Sequence, residues 1–162
     1  MEELLRGIYE RRRLTAVLSV TSHAVSLVSA LCLLLLLGHE IYFGMYKTAA
    51  ILLCAAGVGF VAVSLARKLI NAPRPYELYS FYEKKPKEKS GSSFPSRHAY
   101  SAFSIAALFL CLSIPVSIAL FALGLILCVC RVLLGIHFIR DVAAGALLGI
   151  VSGAVGILLI QI

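Results

Sequence analysis

Five apolar runs constrain this chain more than any other feature: Leu14–Leu37, Thr48–Ile70, Tyr100–Ile114, Val116–Leu133 and Val142–Ile160. A hydrocarbon core of ~30 Å takes about 20 apolar residues in a helix. The runs therefore predict an all-α fold, an integral membrane helical bundle with about five transmembrane helices. The third is short. A single helix through the third and fourth would be far longer than the bilayer is thick, so a tight turn is expected at Pro115 and the two form a hairpin. The composition, 60% apolar and 14% charged with a mean hydropathy of +0.96, is that of a membrane protein. Residues 1–162 are long enough for one compact domain and leave little room for a second.

The first run follows Arg11, Arg12 and Arg13 and so imitates a signal peptide. It is too long for a usual apolar signal core and lacks a clear cleavage site, so it is expected to be a retained helix. All five cysteines fall in apolar stretches with no CxxC pair or Cys/His cluster, which reads as packing rather than disulfides or metal. The formal charge of +7 sits beside long apolar spans rather than on a soluble face. That favours anionic lipid headgroups and a phosphate substrate as partners over nucleic acid. Oligomeric state stays open.

Glycines recur at Gly145, Gly149 and Gly153, with Gly156 close behind, a spacing that lets helix backbones approach one another. Packing within one chain is the expected use. The only long polar stretch runs from Asn71 to Ser93, with four lysines, Lys84, Lys85, Lys87 and Lys89, after Tyr76, Tyr79, Phe81 and Tyr82. This mixture suits a solvated loop anchored by aromatics at the membrane interface.

Five spans put the amino terminus, the polar loop and the turn between the last two spans on one side of the membrane. That side carries fourteen of the fifteen Lys and Arg residues, with Lys47 alone on the other. The positive-inside rule places this face in the cytoplasm.

Three segments on that same face concentrate polar residues at span ends, where ionisable groups are costly without a partner or a task. The first, closing the second span, holds Arg67, Lys68 and Arg74-Pro75; the second is Phe94-Pro95-Ser96-Arg97-His98; the third holds Cys130-Arg131, His137 and Arg140-Asp141. Guanidinium forks match phosphate oxygens, and several converging on one place imply an oxyanion with more than one negative charge. Ser96 and the amides opening the third span add donors at a helix amino terminus. His137 and Asp141 are four apart, so an early start to the fifth span would put them on one helical face and let the carboxylate hold the imidazole. The other ring nitrogen is then free to attack, and His98 can protonate the leaving oxygen. This set of groups requires no metal or other cofactor. His23, His39 and Glu40 lack such company and read as structural.

These segments resemble the type 2 phosphatidic acid phosphatase family, which shares its site with vanadium haloperoxidases and some bacterial acid phosphatases. The family pattern is a Lys six residues before Arg-Pro, a Pro-Ser-Gly-His segment, and Ser-Arg followed by His and Asp. Its last part is matched at Arg131, His137 and Asp141 with every spacing intact, and the resemblance covers roughly Thr48 to Ile160. It implies that His137 is the nucleophile, Asp141 its orienting group and His98 the general acid. It further implies that Arg67, Arg74, Ser96, Arg131 and the Arg97 amide hold phosphate.

Three residues depart from the pattern. Arg67 stands at the family's lysine position, with Lys68 one residue too late; helical phase relative to Arg74 favours Arg67. Arg97 replaces the glycine, keeping an amide donor and adding a positive side chain that a diphosphate or second anionic group would favour. Cys130 replaces the serine. Membrane members of the family also resemble six-helix cores whose site faces away from the cytoplasm, opposite to the placement from charge. The expected activity is hydrolysis of a lipid phosphate: phosphatidic acid, phosphatidylglycerol phosphate or a polyprenyl diphosphate such as undecaprenyl diphosphate. A phosphotransferase using an acceptor other than water is the alternative among enzymes. A non-enzymatic protein that binds anionic lipid is the alternative outside them, and for it both histidines would be dispensable.

Overall fold

The computed structural model describes residues 2–82 and 91–162; Lys84, Lys85, Lys87 and Lys89 of the polar loop lie outside the described residues. The chain forms α1 (Glu2–Tyr9), α2 (Arg12–Tyr42), α3 (Tyr46–Ile70), α4 (Pro75–Leu78), α5 (Arg97–Leu108) with a 3₁₀ turn at Phe109–Cys111, α6 (Ile114–Leu133) and α7 (Ile139–Ile160). No strand occurs among the described residues.

Four helical stretches are long and apolar enough to cross a membrane: Arg12–Tyr42, Tyr46–Leu78, Ile114–Leu133 and Ile139–Ile160. Their outward faces leave large apolar side chains exposed, among them Leu35, Val61, Leu125 and Leu147, surface that lipid rather than water solvates. The third apolar run behaves differently. Its helix, α5, has only 12 residues and so a length of about 18 Å. It is the central helix, packed against α2, α3, α6 and α7, and every residue from Ala102 to Leu108 is buried. A helix walled by other helices does not need the length that lipid contact demands.

The hairpin break falls at Leu112 and Ser113, and Pro115 sits inside the first turn of α6 instead of in the turn itself. At that position the missing proline N–H costs no helical hydrogen bond. The glycines of α7 pack within the chain. A Cβ on Gly145 would lie 2.3 Å from the Ser96 carbonyl oxygen, and one on Gly149 would lie 2.4 Å from that of Tyr100; at Gly153 and Gly156 it would press on Ala107 and Ala55. Bare backbone is what brings α7 close enough to α5 to place residues near their amino ends side by side.

Helix α1 is amphipathic, with Leu5 and Ile8 buried. Tyr9, at its end, packs edge-on against Tyr82 with ring centroids 4.9 Å apart. The amino terminus therefore lies at the same end of the bundle as the start of the polar loop.

Candidate active site

Three turns of chain converge at the end of the bundle where α3 finishes and α5 and α7 begin. Helix α3 stops at Asn71, whose φ of 44° is left-handed and whose amide bonds the Arg67 carbonyl at 3.0 Å. The Asn71 side-chain oxygen then accepts the Ser92 amide at 3.2 Å, and the Ser93 amide donates to the Ala72 carbonyl at 2.9 Å. Arg74 Nε donates to the Gly91 carbonyl at 3.0 Å, and Glu77 receives the amides of both Arg74 and Gly91. Residues 91–93 are thus strapped along residues 71–74. Arg67 completes the join by donating to the Pro95 carbonyl at 3.3 Å.

Arg67 is 6% exposed and Arg74 5%, whereas Lys68 next to Arg67 is exposed. Helical phase turns the arginine inward and the lysine out. Arg131, at the end of α6, is buried as well, and its carbonyl accepts the amides of both Ile136 and His137, at 3.1 and 3.3 Å. The chain folds back this tightly because Gly135 adopts a φ of 68°, open to a residue with no Cβ. A Cβ there would also collide with the Tyr82 hydroxyl at 2.0 Å, so the tyrosine packed on α1 closes against the same turn.

His137 lies in this turn, ahead of α7, which begins at Ile139. The shared helical face expected for His137 and Asp141 is therefore replaced by a loop residue facing the first turn of a helix. Asp141 Oδ2 accepts the Phe138 amide at 2.9 Å, an orphan donor of the helix start. The same oxygen stands 3.7 Å from His137 Nδ1, beyond hydrogen-bond reach. Between the two sits Ser93: its hydroxyl donates to Asp141 Oδ2, and its Oγ is 3.2 Å from His137 Nδ1. Ser93, Asp141 and His137 are 0%, 0% and 2% exposed. A hydroxyl has one hydrogen and two lone pairs, so a Ser93 that donates to the carboxylate is left to accept from Nδ1–H. That fixes the tautomer with Nε2 unprotonated and free. Sequence reasoning passed over Ser93, the last residue of the polar stretch read as a solvated loop.

Ser96 is the N-cap of α5; its Oγ accepts the Ala99 amide at 3.4 Å, and its own amide donates to the Asp141 carbonyl at 2.9 Å. Accepting at the cap uses a lone pair of this buried hydroxyl and not its hydrogen. Arg97 and His98 follow it on α5, but their side chains line a cavity between helices, and the Arg97 guanidinium lies 5.8 Å over the Phe60 ring. Arg140 is 69% exposed and touches Asp141 Oδ1 only loosely, at 3.6 Å. His23 and His39 make local contacts on α2, to the Ser19 carbonyl and to Glu40.

Burial holds the His137 imidazole below its ordinary value of 6.5; the Asp141 carboxylate opposes this, and the charges of Arg67 and Arg74 add to it. A neutral imidazole beside buried guanidiniums suits attack on an anion.

The profile of the PAP2 superfamily matches residues 47–161. The chain belongs to the PAP2 superfamily. Two solved structures share its fold. LpxE of Aquifex aeolicus superposes with a TM-score of 0.71 at 26% identity, over 96% of this chain and 93% of that one. A PAP2 type phosphatidylglycerolphosphate phosphatase of Bacillus subtilis superposes with a TM-score of 0.74 at 22% identity, over 99% and 84%. Among curated proteins, none matches. The superfamily match takes in every site residue described above, from Arg67 to Asp141.

Proposed function

We propose that this chain, a membrane phosphatase of the PAP2 superfamily acting on lipid phosphates, works through a phosphohistidine on His137. The observation that carries the reading is the buried Asp141–Ser93–His137 chain, with Arg67 and Arg74 close enough to act on the imidazole. Arg67, Arg74, Arg131, the Ser96 hydroxyl and the Arg97 amide hold the phosphoryl oxygens. His137 Nε2 attacks phosphorus, the bond from phosphorus to the lipid oxygen breaks, and His98 gives that oxygen its proton. His98 then takes a proton from water, whose oxygen attacks phosphorus; the P–N bond breaks and inorganic phosphate leaves. The substrates that fit are phosphatidic acid, phosphatidylglycerol phosphate and polyprenyl diphosphates.

The site shares its end of the bundle with α1 and its basic flank, Arg11, Arg12 and Arg13. That supports a site on the cytoplasmic face of the cell membrane. The test of the reaction is phosphate release by the purified protein in detergent, with chelator present, on those three lipids. Release from at least one supports the reading, and release from none by folded protein sinks it.

The lowered His137 pKa sets the pH dependence. The nucleophile is the neutral ring, so activity is lost as pH falls through the pKa of His137, and that loss should lie below pH 6.5. Measured kcat/KM against pH checks this: an acid limb at or above 6.5 contradicts a buried neutral nucleophile.

A further inference from the structure

A cavity of about 530 Å³ opens between α2, α3, α5 and α6. Its walls are mostly apolar, with Leu33 and Leu34 from α2, Ile105 from α5 and Leu127 from α6. It follows α5 from Arg97 and His98 at the site end to Ile105, about 12 Å farther into the bundle. Arg97 is exposed in contrast to the buried Arg67, Arg74 and Arg131, and its guanidinium reaches away from the helix end to lie over Phe60. A cation facing a mostly apolar cavity is expensive unless an anion shares the space, and one aromatic face offsets only part of that cost. The buried arginines already serve the phosphoryl group that is transferred. A fourth guanidinium, on a residue that lines this cavity together with His98, points to charge elsewhere on the substrate.

We infer that the cavity takes the apolar tail of the lipid and that the Arg97 side chain binds a second phosphate, on the tail side of the bond that breaks. This rests on the phosphatase reading above. Two sources carry that chemistry: the inner phosphate of a polyprenyl diphosphate, and the phosphodiester of phosphatidylglycerol phosphate. Phosphatidic acid lacks it. In both two-phosphate lipids the terminal phosphorus moves to His137 and the leaving group keeps an anionic phosphate. His98 protonates the leaving oxygen, and the residue beside it, Arg97, offsets the charge that stays behind.

The experiment compares kcat/KM for undecaprenyl diphosphate, phosphatidylglycerol phosphate and phosphatidic acid, using full-length wild type, Arg97→Gln and Arg97→Lys in detergent. Wild type should prefer a two-phosphate lipid over phosphatidic acid. Arg97→Gln should shrink that preference by about tenfold or more, the scale of one charge-assisted contact, and Arg97→Lys should largely keep it. Loss confined to the diphosphate assigns the inner phosphate, and loss confined to phosphatidylglycerol phosphate assigns the diester. Arg97→Gly, the residue of the family pattern, reads the same charge removal if the glutamine variant does not fold. An active wild type with no such preference, or a preference unchanged in the uncharged variants, overturns the inference alone. A folded wild type that releases phosphate from none of the three overturns the phosphatase reading and the inference together.

Discussion

Replacing His137 by alanine is expected to lower kcat by at least ~10³-fold on any lipid phosphate the enzyme accepts, because the proposed nucleophile is removed. The buried arginines would remain, so KM should change far less. Ser93→Ala gives the graded comparison. It keeps the nucleophile but removes the hydroxyl between Nδ1 and Asp141 Oδ2, which stand 3.7 Å apart. The imidazole then loses its tautomer and its orientation together, and kcat should fall by roughly 10- to 100-fold, the scale of displaced orienting partners. Steady-state kinetics on both variants decides the matter. A His137→Ala enzyme within tenfold of wild type would refute the nucleophile assignment, and a Ser93→Ala enzyme of unchanged kcat would show Asp141 acting on the ring without it.

Gly149→Val is expected to have the largest effect on stability. A Cβ there meets the Tyr100 carbonyl oxygen at 2.4 Å and the Ser104 amide nitrogen at 2.8 Å, both backbone atoms of α5 that cannot turn aside. Helices α5 and α7 must separate, at a cost on the order of 2–3 kcal/mol or more. Separation also pulls Ser96 from Asp141, whose backbones are joined by a 2.9 Å hydrogen bond, so activity should fall with stability. Gly38 makes the control, since a Cβ there has nothing within 4 Å. Melting in detergent should show Gly149→Val well below wild type and Gly38→Ala close to it. Equal melting temperatures for the two variants would refute the close α5–α7 packing.

The apolar runs made the bundle legible, because lipid imposes length and composition on each helix it touches. The exception was α5. Its run, Tyr100–Ile114, starts three residues after the helix does and ends at the first residue of α6, since the polar start of α5 belongs to the site. Pro115 marked a break truly but two residues late, because proline fits a first helical turn as well as the turn before it. In the site, spacing alone grouped Arg131, His137 and Asp141, yet it suggested a helical i, i+4 pair. Gly135 at a φ of 68° instead holds His137 in a turn ahead of α7. Ser93 was illegible for a different reason: its partners lie 44 and 48 residues along the chain, and only the strap from Asn71 to Ser92 brings it to them.

The central claim is that the phosphoryl group passes through His137. The direct measurement is to mix purified enzyme with lipid labelled in its terminal phosphate, quench in base within the first turnovers, and map the labelled protein by mass spectrometry. Phosphorylated histidine is labile in acid and survives base. The account predicts label on His137 in wild type, its disappearance on acid treatment, and none in His137→Ala. Label on another residue, or rapid phosphate release by wild type with no labelled protein at any time point, would contradict it.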